Sequence, residues 1–201
     1  LPAFFVLGII SAIIALSLIK TIFYCDIFYE KNRIPIWARP AIGGFLVGLI
    51  GLYAPQILGV GYLSTNSVLV SSIPFWVAIS LIIAKTAATG ICLGSRFGGG
   101  IFSPSIFIGA MLGYSYGVII NNLFPDFSTN ISLYALVGMG SVAAPVLGAP
   151  ISTIMIAFEL TGQFEVIIAS MLSISISCLI YKKSKLGSFF DIQSFIRKNN
   201  N

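Results

Sequence analysis

The 201-residue sequence contains no histidine, and Asp, Glu, Lys and Arg together make up only 8% of it. Without histidine the commonest general base and metal ligand is gone. A soluble domain carries roughly a quarter charged residues, so a soluble globular chain is excluded. Cysteine is scarce as well. Cys25, Cys92 and Cys178 lie far apart, in or beside apolar runs. Their spacing fits neither a metal site nor a redox pair, and they read as small buried apolar residues. The net charge of +5 comes without an exposed basic stripe, so nucleic acid is not an expected partner. The basic residues sit in short linkers and near the C-terminus, as the positive-inside rule predicts for a membrane protein. What the chain has in abundance is apolar surface, with 57% hydrophobic residues and a mean hydropathy of +1.01. These values predict an all-α, multi-pass integral membrane protein held in a lipid bilayer.

The first residue, Leu1, already lies inside an apolar run with no basic start, and the sequence reads as beginning partway through a larger protein. Spans are expected over Leu1 to Ile19, Pro40 to Tyr53, Pro74 to Thr89, Ile101 to Ile120, Ile131 to Leu160 and Phe164 to Tyr181. A short helix is expected near Thr65 to Ser72 and an amphipathic tail over Ser188 to Lys198. Several of these pieces are shorter than the ~20 residues a bilayer core requires, or are broken, as at Gly148-Ala149-Pro150. Irregular backbone at membrane depth survives only where protein buries it or where it lines a wet cavity. The pattern therefore predicts a bundle of tilted, broken and re-entrant helices, the kind in which helix ends point at an ion. Small residues recur at four-residue spacing in Gly109, Gly113 and Gly117, in Gly140, Ala144 and Gly148, and in Gly44 and Gly48. Such faces let helix backbones approach closely, within one subunit for most of them and between subunits for others.

The stretch GSRFGGGIFSPSIFIGAMLG, Gly94 to Gly113, carries the chemistry. Ser103 is expected as an N-cap with Pro104 at the first helical position. The unpaired amides of Ile101 and Phe102 then face the Gly98-Gly99-Gly100 loop. A helix start has free N–H groups and partial positive charge, and together these hold anions. Nothing acidic is adjacent in sequence and Arg96 is basic, so the implied ligand is a small anion. Taken alone, the stretch equally fits an ordinary helix start with a glycine-rich lead-in. Nucleotide readings fail. A phosphate loop requires Lys and then Ser or Thr after its last Gly, and Ile101 stands there instead.

GGGIFSPSIFIGAMLG resembles the GxFxP region of the CLC family of chloride channels and chloride/proton exchangers. LVGMGSVAAPVLGAPISTIMIAFELTG is similar to the family's later helix pair, with its Ala-Pro elbow and Phe-Glu-Leu-Thr-Gly ending. Segment order agrees along essentially the whole chain. The resemblance implies that residues 1–201 form the C-terminal half of a CLC membrane domain, one half of an inverted-repeat fold, without the N-terminal half or a soluble regulatory domain. It implies anion transport, with chloride or a similar small anion as the transported ligand, protons as co-substrate if the protein is an exchanger, and no other cofactor. The family's central ion is held by the amides matching Ile101 and Phe102, next to Gly100, with Gly98, Gly99, Ser103 and Pro104 supporting them. A family tyrosine that also touches this ion corresponds to Phe190 in LGSFFDIQSF. The ring is kept there and the hydroxyl donor is lost. The GSGIP-like and G(K/R)EGP-like motifs that complete the family's site do not occur in this sequence. A homodimer is also implied, through the first span and the segments Ile151 to Glu159 and Phe164 to Ile180, as is residence in a bacterial-type plasma (inner) membrane. Channel and exchanger are not distinguished.

Other residues leave alternatives open. Glu159 and Glu165 are either intramembrane functional acids or interfacial structural residues. Lys85 either sets a positive potential on an anion path or snorkels to the interface. Trp37 and Trp76 suit interfacial anchors. The linker after the first span and the Lys182-Lys183-Ser184-Lys185 run are basic while NNLFPDFSTN is not, which predicts cytoplasmic placement of the first two, and so a cytoplasmic C-terminus, with the third external. An enzyme embedded in the membrane would need a cluster of His, Asp, Glu or Cys at depth, and the sequence shows none. A non-transporting membrane subunit is the remaining alternative.

Overall fold

The computed structural model describes residues 2–61, 65, 67–68, 73–124, 130–161, 164–184, 187 and 189, with the side chains of 157, 160, 161, 164 and 165 excepted. The described residues are helical and contain no strand. In chain order they form α1 (Pro2–Lys31), α2 (Arg39–Tyr53), a 3-10 turn (Pro55–Ile57), α3 (Phe75–Gly94), α4 (Phe102–Leu123), α5 (Ile131–Leu147), α6 (Pro150–Thr161) and α7 (Phe164–Lys183). Four helices are long and apolar enough to cross a membrane: α1, α3, α4 and Val166–Lys183 within α7. The helix expected over 65–72 falls largely outside the described residues. The tail over 188–198, apart from residue 189, and residues 125–129 of NNLFPDFSTN lie outside them too.

The first span is longer than its apolar run predicts. It does not stop at Lys20 but continues to Lys31, over 30 residues. No Gly or Pro interrupts KTIFYCDIFYEK, so nothing ends the backbone ladder where the charges begin. At 1.5 Å per residue the helix is about 45 Å long, against about 30 Å of hydrocarbon. The surplus carries Asp26 and Glu30 to its C-terminal end, where they meet arginines from other segments.

The most enclosed of the four long spans is α4. In its apolar window 72% of residues lie inside the fold, against 39–44% for the other three spans. Its glycine face packs on α5 within the chain, as the four-residue spacing predicts. A Cβ added at Gly113 would overlap the Tyr134 carbonyl oxygen, and Gly109 and Gly138 each abut the other's carbonyl. Two backbones thus touch without side chains between them, which maximises dispersion contact where no hydrophobic effect drives association. Beside this crossing, Tyr134 stacks on Phe4 with centroids 4.9 Å apart. Tyr116 meets Tyr134 edge-on and donates to the Ala3 carbonyl at 2.8 Å, which fixes the start of α1 to α4 and α5.

α5 and α7 are joined by buried hydroxyls. Ser141 and Ser173 share a hydrogen bond of 2.7 Å, and Ser177 donates to the Ser141 carbonyl at 2.7 Å. The expected break after α5 is present. Gly148 takes φ +72°, its amide bonds to the Ala144 carbonyl, and α6 starts at Pro150. With 12 residues, α6 reaches about 18 Å and does not cross the hydrocarbon. Gly140 packs on Ile174 of α7, whereas Gly48 has nothing within 4 Å.

Gly113→Val is expected to lower stability by at least 1–3 kcal/mol, the usual cost of overpacking, because neither backbone can yield. Gly48→Ala should be neutral or stabilising by up to about 1 kcal/mol through helix propensity. Thermal unfolding midpoints of the two variants in detergent check the contrast, which fails if both shift alike.

Candidate functional site

α4 begins two residues earlier than a Ser103 cap would set it. Phe102 is its first residue, and Ile101 at the cap position already has helical dihedrals (φ −86°, ψ −17°) without a side-chain cap. A side-chain N-cap needs extended backbone at the capping residue, and Ser103 lies inside the helix. Its hydroxyl instead donates to the Val60 carbonyl at 3.3 Å. Pro104 sits third, where its missing N–H still costs nothing because first-turn donors have no intrahelical partner. Asn130, by contrast, is a true side-chain cap, accepting from the Ser132 amide at 3.0 Å at the start of α5.

The amides of Gly99, Gly100, Ile101 and Phe102 donate to no protein acceptor among the described residues. Ile101 is buried, only 3% exposed, and anchors the helix start, while Gly98, Gly99 and Gly100 are exposed. A Cβ at Gly98 or Gly100 would meet nothing within 4 Å. These glycines are therefore not demanded by packing inside the chain, unlike Gly109 and Gly113.

Beside the loop lies a cavity of about 250 Å³, lined in part by Gly99, Gly100, Ser103, Pro104, Cys92 and Lys85. Lys85 does not snorkel. It is 5% exposed, and its ammonium donates to the carbonyls of Ile57 at 2.6 Å and Gly59 at 2.8 Å. The Phe107 ring lies 5.1 Å from Nζ, within cation–π range. Lys85 thus straps the 55–59 turn onto α3. No carboxylate pairs with it among the described residues.

Acids do reach Arg96, although none is adjacent in sequence. Asp26 of α1, 6% exposed, lies 3.5 Å from Arg96 Nε and 3.7 Å from Arg39 Nη1, and Glu30 lies 3.6 Å from Arg96 Nη2. Arg39 Nε also donates to the Ile34 carbonyl. The ion pairs are longer than hydrogen bonds, and Arg39 Nη1 and Arg96 Nη2 are buried without a hydrogen-bond acceptor. Arg96 occupies an unusual backbone position. It has φ +59° just past the end of α3, with its amide on the Leu93 carbonyl and the Phe97 amide on the Cys92 carbonyl. This is the pattern in which helices close on a left-handed residue, commonly glycine. For a residue with a Cβ that conformation costs roughly 1–2 kcal/mol. Arg33 does the same after α1, with φ +50°.

The structure brings Gly98, Gly99, Gly100, Ile101, Phe102, Ser103 and Pro104 together at one helix start. Phe190 lies outside the described residues, as does the side chain of Glu165. Glu159, Trp37 and Trp76 are exposed, in keeping with interfacial positions. The sequence reading missed Asp26 as a hub and Lys85 as a strap. Asp26 stood in what read as a polar linker, and the carbonyls that hold Lys85 have no sequence signature.

Residues 1–182 match the family described as voltage gated chloride channel. A ClcB-like protein of Ralstonia nicotianae is 35% identical over 147 residues, covering 72% of this chain and 34% of its own length. Chloride channel protein CLC-f of Arabidopsis thaliana is 28% identical over 206 residues, covering 95% of this chain and 26% of its own. The chain thus spans about a third or less of these curated relatives. The crystal structure of a slow cyanobacterial Cl⁻/H⁺ antiporter has the same fold, with a TM-score of 0.85 at 22% identity over 98% of this chain and 47% of that one. Helix order, the broken α5–α6 pair, the glycine-led start of α4 and these matches together place the chain in the voltage gated chloride channel, or CLC, family.

Proposed function

We propose that the chain forms the C-terminal half of a CLC membrane domain and contributes to a transmembrane path for chloride or a similar small anion, held by the amides of Ile101 and Phe102 beside Gly100. One observation carries the reading: Gly99 and Gly100, whose amides have no acceptor among the described residues, line a cavity with Lys85, which pairs with no carboxylate among them, and they lead directly into the helix start at Ile101 and Phe102. In an apolar interior an unpaired charge is costly, and an anion beside it relieves that cost. Gly98 and Gly99 leave the approach free of side chains, while Ser103 and Pro104 stiffen the first turn. The curated relatives described as chloride channels support the anion class. Protons are the second substrate if the path is that of an exchanger.

Bromide anomalous scattering from crystals of the complete protein should place a peak at the Ile101 and Phe102 amides. A peak elsewhere with none there rejects the assignment, and a non-transporting membrane subunit would give no peak at either.

Phe190 stands where the family's ion-touching tyrosine is expected. A hydrogen bond to a charged partner contributes about 1.5–3 kcal/mol, and amides and water recover part of it when the hydroxyl is absent. Phe190→Tyr is therefore expected to tighten chloride binding several-fold, measured by calorimetric titration. Equal affinities would mean that residue 190 does not face the ion.

The complete protein is proposed to be a homodimer in a plasma (inner) membrane with its C-terminus cytoplasmic. In support, α6 and α7 carry exposed apolar side chains such as Ile151, Met155, Ile168 and Leu179 and few charges. Cross-linking in lipid should trap dimers, and exclusive monomers would overturn this.

A further inference from the structure

We infer that Arg96 is a positioning residue for the anion site: tied through its side chain to Asp26 and Glu30, it sets the direction in which the Gly98–Gly100 loop delivers the Ile101 and Phe102 amides. The inference rests on the anion-site reading above.

Three observations meet at Arg96. First, it closes α3 at a backbone position that favours glycine, with φ +59°. Any side chain there works against the local geometry, so arginine stands at this position against its own backbone preference. Second, that side chain is engaged. It reaches Asp26 at 3.5 Å and Glu30 at 3.6 Å, and Asp26 is itself buried and shared with Arg39 at the start of α2. Arg33 supplies an internal comparison, since it occupies the equivalent backbone position after α1 with an exposed side chain and no ion pair among the described residues. The backbone pattern therefore forms without a clamp, and the clamp at Arg96 does something else. Third, the loop that follows has little side support among the described residues. A Cβ at Gly98 or Gly100 would find nothing within 4 Å and one at Gly99 would only graze Leu93 and Cys92, 3.8 and 4.0 Å away, so the two ends of the loop do most to direct it. One end is Ile101, buried at the head of α4. The other is the segment from Ser95 to Phe97, where Ser95 presses on Gly43 of α2 and Phe97 approaches Gly44.

Two arginines and two carboxylates therefore join the ends of α1 and α3 and the start of α2 into one rigid corner, and the anion loop is cantilevered from it. Helix-start amides hold an anion by direction as well as by partial charge, so a loosened corner weakens binding even when the helices stay folded.

The test separates this role from a merely structural one. Arg96→Gly removes the ion pairs and at the same time relieves the backbone, so the fold should be as stable as the parent, read as an unchanged or raised thermal midpoint. Chloride affinity of the complete protein, by calorimetric titration, should nevertheless fall about three- to tenfold. Asp26→Asn should produce a similar loss, and the double variant should be no worse than either single one. Arg33→Gly should leave affinity unchanged. Unaltered affinity in Arg96→Gly, or full additivity in the double variant, overturns the positioning role alone. An unmodified protein that binds no chloride saturably overturns the anion-site reading and this inference with it.

Discussion

The contact on which the rest of the structure depends is the side-chain-free crossing of α4 and α5 at Gly109, Gly113 and Gly138. In lipid, helices gain nothing from burying apolar side chains that lipid would solvate equally well, so close backbone approach and directional hydrogen bonds decide how they associate. The crossing places α4 at the centre of the fold and so fixes where its first turn lies. From there the Phe4–Tyr134–Tyr116 cluster locks α1, and the Ser141–Ser173–Ser177 hydroxyls lock α7. Substituting one of these glycines would disturb the candidate site without touching it.

Charge is handled in two different ways. At the corner made by α1, α2 and α3, acids and arginines neutralise one another, with Asp26 facing two guanidinium groups. A few residues away Lys85 has no carboxylate, only two carbonyls and an aromatic face. Carbonyl dipoles solvate an ammonium without supplying an opposite charge, and Lys85 lines the cavity shared with Gly99 and Gly100. Arg96, the basic residue nearest that loop in sequence, is engaged by its acids.

The glycines divide into two groups with different physical causes. Gly109 and Gly113 are required because another backbone occupies the space a Cβ would take. Gly98 and Gly100 border space that nothing in the described residues fills. The first group serves the fold, while the second leaves the backbone leading to Ile101 and Phe102 free of side chains.

Periodicity and composition alone determined the membrane class, most helix positions, the break at Gly148 to Pro150, the glycine face of α4 and the glycine-led helix start at its head. These are local properties: apolar length, backbone freedom and unpaired first-turn amides are written in consecutive residues. Only the tertiary structure decided that α1 runs on to Lys31, that Ser103 sits inside the helix rather than capping it, that Asp26 and Glu30 engage Arg96, and that Lys85 turns inward to the Ile57 and Gly59 carbonyls. Each depends on which atoms from distant segments meet. A charged residue in an apolar chain announces that it needs a partner, but the partner's identity is set by how the helices cross, and that crossing is a property of the packed backbone.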